Sequence, residues 1–183
     1  MKEHSVQVTI ENRMGFHVRP VQRFAQLARA FNSDVTVEMK SREAPGKSII
    51  NLMALGGKCG DTMKISAQGD DARQCTEVLK VLAEDRFFVE DDVEVEKRPL
   101  RHVRRLADMA SCFKSDIRAT LDATSINAKD FGALQALGLK PTSEPEFEIS
   151  GVDADQAREV LAILVRSCFY IEDQMVERGR KAE

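Results

Sequence analysis

Residues 6–31 have the sequence VQVTIENRMGFHVRPVQRFAQLARAF, in which one hydrophobic pattern gives way to another. Apolar and polar residues alternate from Val6 to Ile10, which predicts a strand with one buried face. After a loop that contains a glycine, apolar residues recur at helical spacing, and Pro20 falls in the first turn, where proline is tolerated. The stretch therefore predicts a strand, a loop and a helix over about 18–31.

The residues that follow complete a small α+β unit. Alternating apolar residues predict strands near 35–39 and 63–67, and a further short strand is expected in the turn at 41–46. Helical spacing predicts a short helix closed by Gly56-Gly57 and a last helix capped by Asp70 or Asp71. The order βαββαβα predicts an open-faced sandwich, an antiparallel sheet with helices on one face.

An internal repeat divides the chain. Sliding the sequence against itself gives a gap-free match at an offset of 82 residues. Among the matched pairs are Phe31 with Phe113, Lys47 with Lys129, Leu52 with Leu134, Gly69 with Gly151, Asp71 with Asp153 and Phe87 with Phe169. We expect two tandem units of one fold, at 1–88 and 89–183, with a boundary near Phe88 to Glu90. Val93 and Val95 alternate with glutamates and are expected to lie in the first strand of the second unit.

Bulk composition excludes several classes of protein. The 27 basic and 30 acidic residues are mixed along the chain, so no global charge favours nucleic acid. The longest apolar run, Val160 to Val165, is far shorter than the roughly 20 residues of a membrane helix, and the N-terminus lacks the apolar centre of a signal peptide. The four cysteines show no metal-ligand spacing. We expect a cytoplasmic protein without membrane insertion, metal or disulfide framework.

His17 is the residue most suited to chemistry. It lies where a loop enters a helix, and amide N–H groups at a helix start attract anions. The guanidinium of Arg19, two residues on, can clamp phosphate oxygens. An imidazole has an ordinary pKa of about 6.5, so it offers an unprotonated nitrogen as nucleophile at neutral pH. The alternative from spacing alone is that His17 is a polar helix cap.

The motif Gly-Phe-His-Val-Arg-Pro at 15–20 closely resembles the active-site signature of HPr, the histidine phosphocarrier of the bacterial sugar phosphotransferase system. The element order over residues 1–88 also resembles that family's fold. The resemblance implies that His17 accepts a phosphoryl group from enzyme I and passes it to an enzyme IIA-type acceptor, while Arg19 steadies the phosphate. It implies a stoichiometric carrier, not an enzyme, and no cofactor.

A second segment carries the same resemblance. The sequence Gly-Lys-Ser-Ile-Ile at 46–50, followed by Leu-Met-Ala-Leu-Gly at 52–56, resembles the segment with the family's regulatory serine. Ser48 would then be the target of an HPr kinase/phosphorylase; the alternative is that Ser48 only caps a helix. The resemblance also implies a partner-binding surface, made of Phe16, Ile49, Ile50 and Met53. Without it, core packing is the simpler reading for the apolar residues of the short helix.

The second unit lacks this chemistry. At the same offset His17 falls on Pro99, Ser48 on Asp130, Ile50 on Gly132 and Met53 on Gln135, while Arg19 keeps its type as Arg101. His102 is near but aligns with Pro20, inside the expected helix, so we do not expect it to accept phosphate. A basic cluster could meet an acidic partner, although a solvated helix face is the preferred interpretation; its members are Arg98, Arg101, His102, Arg104 and Arg105.

Two functions from different classes follow. The first is a phosphoryl carrier acting through His17. The second is a regulatory binding module, in which phosphorylation of His17 or Ser48 controls docking to a transcription factor or metabolic enzyme without sugar transport. A metabolic enzyme fits poorly, because the sequence has neither a glycine-rich nucleotide loop nor a cluster of metal ligands.

Overall fold

The structure is a computed structural model that describes residues 2–89, 100–140 and 143–166. The chain divides into two compact units, Met1–Lys97 and Arg98–Glu183. We call them unit 1 and unit 2 and describe each by itself. In the described part of the chain, no helix has both the length and the apolar character needed to cross a membrane.

Unit 1 has the predicted order βαββαβα, followed by a single turn at Arg86–Phe88. Its elements are β1 (Glu3–Thr9), α1 (Val18–Arg29), β2 (Asp34–Met39), β3 (Arg42–Pro45), α2 (Ile49–Leu55), β4 (Thr62–Gln68) and α3 (Ala72–Glu84). The four strands form one antiparallel sheet in the order β1-β4-β2-β3. The predicted α+β sandwich is confirmed, and α1 ends two residues earlier than expected.

The core of unit 1 lies between the sheet and its helices. Alternate residues of the strands are buried, including Val37 and Ile65 at 0% exposure. The helices contribute Phe24 from α1, Leu52 from α2 and Leu79 from α3, all fully buried. This one-sided burial is what the two hydrophobic periods in the sequence predict.

Unit 2 repeats the order from its first described helix onward. Its elements are α4 (Arg101–Ser111), β5 (Asp116–Leu121), β6 (Thr124–Asn127), α5 (Phe131–Leu137), β7 (Glu146–Ser150) and α6 (Ala154–Leu164). The strands pair antiparallel in the order β6-β5-β7. The strand predicted around Val93 and Val95 lies outside the described residues, as do Arg98, Pro99, Cys168 and Phe169.

The same polar contact occurs within each unit, at equivalent positions, which supports the repeat found in the sequence. The ammonium group of Lys47 donates a hydrogen bond of 2.7 Å to the carbonyl oxygen of Phe31. Its counterpart Lys129 donates one of 2.8 Å to the carbonyl oxygen of Phe113. In each unit the lysine ties the loop before the short helix to the end of the first helix.

Asp70 or Asp71 was expected to cap the last helix of unit 1, and the structure corrects the role of Asp71. It is the N-cap residue of α3, but its side chain makes no capping bond. Its carboxylate accepts hydrogen bonds from the amides of Asn32 and Ser33, at 2.8 and 2.9 Å, and from the Ser33 hydroxyl. Asp153 makes the same three bonds to residues 114 and 115. The aspartate therefore joins the start of one helix to the end of another.

Candidate functional site

The loop before α1 is attached to the segment that follows α2. The amide of Ile10 donates to the carbonyl oxygen of Asp61 at 2.9 Å, and the amide of Gly60 donates back to Ile10 at 2.8 Å. At the other end of the loop, the amide of Phe16 donates to the carbonyl oxygen of Gly57 at 2.8 Å. The residue before His17 is thus fixed by a backbone contact distant in sequence.

Gly15 makes this attachment possible. Its φ is +70°, in the left-handed region, and a Cβ atom there would lie 2.5 Å from the carbonyl oxygen of Gly57. The Gly15 amide donates to the carbonyl oxygen of Asn12 at 2.9 Å, and the Asn12 side chain donates back to the carbonyl of Gly15. Asn12 is only 2% exposed.

The role of Asn12 was not predicted from the sequence, and Gly57 was predicted only to end α2. A Cβ atom on Gly57 would lie 2.8 Å from both Ile10 Cδ1 and Met39 Sδ. A glycine just after a helix-ending glycine is the signal that could have revealed this close approach.

Phe16 does not lie on an exposed surface, which corrects the expectation that it binds partners. Its side chain is 2% exposed. The ring packs edge-on against Phe24, with centroids 5.9 Å apart, and at 39° against Phe87, with centroids 5.2 Å apart. Phe16 is a core residue that anchors the loop.

His17 is the N-cap residue of α1, with extended backbone at φ −92° and ψ −170°. The first bond of the helix runs from the Val21 amide to the His17 carbonyl oxygen, at 3.0 Å. The imidazole makes no capping bond to the helix and is partly exposed. The simple polar-cap alternative therefore receives no support from the side-chain geometry.

The first turn of α1 has the character that an anion requires. It contains no acidic residue, and Arg19 lies exposed within it. The amides of Val18 and Arg19 precede the first intrahelical bond, and their dipoles add to the positive end of the helix. A phosphoryl group on the imidazole would meet favourable charge there and stay accessible to a partner.

The two sides of α2 differ in burial. Leu52 and Leu55 are 0% and 5% exposed, whereas Ile50 is 82% exposed and Ile49 and Met53 are partly exposed. Helices α1 and α2 pack against each other. The exposed side of α2 carries apolar groups that the fold does not need for its own core.

Two further apolar side chains, not predicted from the sequence, are exposed near His17 in the chain. Val18 is 49% exposed and directly follows His17, and Met14 is 66% exposed in the loop before it. Both belong to the loop and helix start that carry the imidazole.

Ser48 is the N-cap residue of α2, but its hydroxyl makes no capping bond. At the equivalent position in unit 2, the carboxylate of Asp130 accepts a hydrogen bond of 3.0 Å from the amide of Ala133. A negatively charged group at this place in the fold is therefore compatible with a short, intact helix.

Unit 2 has a different arrangement where unit 1 has its histidine. His102 is 7% exposed, and its Nε2 donates 2.8 Å to the carbonyl oxygen of Leu139. Since a carbonyl can only accept, Nε2 carries the proton. This burial agrees with the expectation that His102 is not a phosphoacceptor.

The basic cluster is not a single solvated face, so the preferred interpretation was wrong in part. Arg105 is 2% exposed, and the guanidinium carbon of Arg104 lies 3.7 Å from the centre of the Phe131 ring. Two of the described members, His102 and Arg105, are buried. Within the described ranges, no group of three or more histidine, cysteine or acidic residues is placed to hold a metal ion.

Comparison with known proteins accounts for both units. A family model described as "PTS HPr component phosphorylation site" matches residues 4–85 and again residues 89–167. The phosphocarrier protein HPr of Vibrio cholerae is 39% identical over 82 residues, which cover 45% of this chain and 94% of that protein.

A larger phosphotransfer protein and a solved HPr structure each match about half of the chain. The phosphoryl donor subunit DhaM of the PEP-dependent dihydroxyacetone kinase of Escherichia coli is 33% identical over 89 residues, 49% of this chain and 19% of that protein. A crystal structure of HPr-C-His from Thermoanaerobacter tengcongensis is 39% identical, with a TM-score of 0.45, and covers 49% of this chain and 99% of that one.

Proposed function

The chain belongs to the HPr family of phosphocarriers, matched in both of its units, and on this premise we propose that His17 of unit 1 carries a phosphoryl group. The group comes from phospho-enzyme I and passes to an enzyme IIA-type acceptor. A lone pair on the imidazole attacks phosphorus, and the bond to the donor breaks with its electron pair leaving on the donor. Transfer onward reverses these roles.

The observation that carries the proposal is the position of His17 as the N-cap of α1. There the imidazole is partly exposed, two residues before an exposed arginine, in a helix turn without carboxylates. A phosphoryl group would be stabilised by the helix end and by Arg19, without burial that would hinder its release. Because phosphate arrives already activated, the chemistry requires neither a metal nor an organic cofactor.

The exposed apolar side of α2 supports a docking role. We assign Ile49, Ile50 and Met53 to the surface that enzyme I and the acceptor contact, extended by Val18 and Met14. Both partners need access to the same imidazole, so one shared surface is the simplest arrangement. Because the family's phosphotransfer partners act in the cytoplasm, we assign the protein to that compartment.

We also propose Ser48 as a regulatory phosphorylation site for an HPr kinase/phosphorylase. Its hydroxyl is partly exposed and makes no capping bond. Asp130, at the equivalent place, supports the view that a negative charge leaves the helix intact. A phosphate on Ser48 would add negative charge beside an apolar docking surface and weaken docking of enzyme I.

A regulatory binding module is the second candidate, and unit 2 favours it. This unit keeps the scaffold but has proline in place of the histidine and aspartate in place of the serine. A unit without a phosphoacceptor can still bind. Phosphorylation of unit 1 would then control a transcription factor or a metabolic enzyme, and no sugar would be transported.

The test is phosphorylation of the full chain by enzyme I and labelled phosphoenolpyruvate. We expect one acid-labile phosphate per chain, lost in His17→Ala and slowed in Arg19→Ala. His102→Ala is the matched control and should label normally. Labelling that persists in His17→Ala would contradict the proposal. Chasing the label into purified IIA-type domains then separates the carrier from the binding module.

A further inference from the structure

The five residues after α3, 85–89, form what we call the hook, and their backbone is unusual. Arg86, Phe87 and Phe88 have φ values of 52°, 57° and 53°. Side-chain-bearing residues rarely adopt this left-handed conformation, and three in succession persist only where the surroundings impose it. The turn is closed by bonds from the Phe88 amide to Asp85 at 2.8 Å and from the Val89 amide to Arg86 at 3.1 Å.

The hook is buried and clamped. Phe87, Phe88 and Val89 are 0%, 2% and 4% exposed. The guanidinium of Arg23 donates to the carbonyl oxygens of both phenylalanines, at 3.2 Å for Phe87. Arg23 lies in α1, so the hook is bound to the same helix whose N-cap residue is His17.

The hook reaches the proposed phosphoacceptor through one intermediate residue. The ring of Phe87 lies 5.2 Å from the ring of Phe16, which precedes His17 in the chain. Phe16 is held at its amide by Gly57 and at its ring by Phe24 and Phe87.

We propose that Phe87 is a positioning residue for His17, acting through Phe16, and that the left-handed hook exists to deliver its ring. This inference rests on the proposed phosphocarrier function. Without the ring of Phe87, Phe16 can move into the vacated space, because only the bond to Gly57 and the contact with Phe24 still hold it. Small misplacements of a reacting group lower transfer rates far more than they weaken binding.

The test compares three variants of the full chain with the wild type. Phe87→Ala removes the ring contact, and Phe87→Leu restores most of the buried volume. Leu79→Ala, in α3, is the matched control, because it also truncates a fully buried side chain but removes no aromatic ring. Single-turnover transfer from phospho-enzyme I is measured against enzyme I concentration, with urea unfolding measured in parallel.

We expect Phe87→Ala to lower the transfer rate at saturating enzyme I by about 10-fold or more, with an unchanged half-saturating concentration. Leu79→Ala should lower stability and leave transfer of the folded protein unchanged, and Phe87→Leu should recover most of the rate. Equal rates for the two alanine variants, or an effect confined to half-saturation, would overturn the inference.

A second readout does not depend on the proposed function. The ring resonances of His17, followed by NMR, should shift or broaden in Phe87→Ala and stay unchanged in Leu79→Ala. Unchanged resonances in both variants contradict the positioning role. A wild type that enzyme I does not label contradicts the carrier function instead, while the resonances still decide the coupling between the hook and His17.

Discussion

Nε2 of His102 donates a hydrogen bond of 2.8 Å to the carbonyl oxygen of Leu139. Leu139 is the counterpart of Gly57, since the two are 82 residues apart. In unit 1 the carbonyl of Gly57 accepts instead from the amide of Phe16, at 2.8 Å. In unit 2 a histidine side chain thus satisfies the carbonyl whose counterpart in unit 1 anchors the loop before His17.

The hydrogen bond to Leu139 gives His102 a structural role that can be tested. In His102→Ala the carbonyl of Leu139, a residue 3% exposed, loses its donor, which costs about 1–3 kcal/mol in addition to the lost packing. Hydrogen exchange should show faster opening of unit 2 and unchanged protection in unit 1. His102→Gln, which keeps a donor, should be milder. Equal protection of unit 2 in wild type and His102→Ala would contradict the role.

Gly15→Ala tests the attachment of the loop. The added Cβ would lie 2.5 Å from the carbonyl oxygen of Gly57, at a φ of +70°. Gly60→Ala is the control, because its φ is +89° but nothing lies within 4 Å of the added atom. We expect Gly60→Ala to cost about 1 kcal/mol from backbone strain alone, and Gly15→Ala clearly more. Urea unfolding measures both, and equal losses would mean that the loop moves away freely.

Asp71 should make unit 1 sensitive to acid. Burial raises the pKa of its carboxyl, but the hydrogen bonds from the Ser33 hydroxyl and from the amides of Asn32 and Ser33 together outweigh burial and lower the pKa below 3.8. The folded state therefore binds this proton less readily than the unfolded state. The stabilisation is present above pH 3.8 and is lost as pH falls through the lower, folded pKa.

The experiment is urea unfolding of wild type and Asp71→Asn at about pH 7 and about pH 3. Loss of charge-assisted bonds should cost Asp71→Asn about 1–2 kcal/mol at neutral pH, and the difference from wild type should shrink in acid. Asp70→Asn, at an exposed neighbour, should change little at either pH. A difference that grows as pH falls would have the wrong sign for this explanation.

Most of the fold was predictable because it depends on local patterns. Alternation and helical spacing identified the strands and helices of unit 1, and the repeat carried the same elements into unit 2. These features need only the period of burial, which a sequence displays directly. The exposure of Ile50 was different, because it was expected only from the family resemblance, and spacing alone favoured burial of every apolar residue in α2.

The predictions that were wrong concern residues whose environment is set by contacts with distant residues. In the sequence Phe16 is part of a motif that was expected to be exposed. In the structure it packs against Phe87, which has a backbone conformation that its residue type disfavours. In the sequence His102 is one residue of a basic cluster. In the structure its side chain is buried and donates a hydrogen bond to the carbonyl oxygen of Leu139. Local propensity argues against a left-handed turn of Arg86–Phe88, so only the tertiary structure reveals it.

The cysteines should differ sharply in reactivity. Burial raises the pKa of the Cys75 thiol to about 12, and the negative charge of Asp71 adds to this effect. Cys59 is exposed. Because the thiolate is the reactive form, iodoacetamide should alkylate Cys59 in the native protein and Cys75 only after unfolding. Peptide-resolved mass spectrometry separates the sites, and native labelling of Cys75 at the rate of Cys59 would show that α3 opens readily.

Ser48→Asp transfers the helix cap of unit 2 into unit 1. The carboxylate of Asp130 accepts from the amide three residues on, whereas Ser48 makes no such bond, so the substitution can add a cap at the amide of Asn51. We expect a gain of about 0.5–1 kcal/mol in the free energy of unfolding. Asp130→Ser should cost unit 2 a similar amount.

Ser48→Asp should also slow phosphorylation of His17 by enzyme I, because the charge lies next to the exposed side of α2 that we assign to docking. Ser48→Asn separates the two effects, since an asparagine caps a helix without charge. If the docking assignment is correct, both variants stabilise unit 1, but only Ser48→Asp is phosphorylated slowly by enzyme I. Because the cause is a charge, the defect in Ser48→Asp should weaken as salt is added. A defect of equal size in both variants would mean that the cap, and not the charge, controls access to His17.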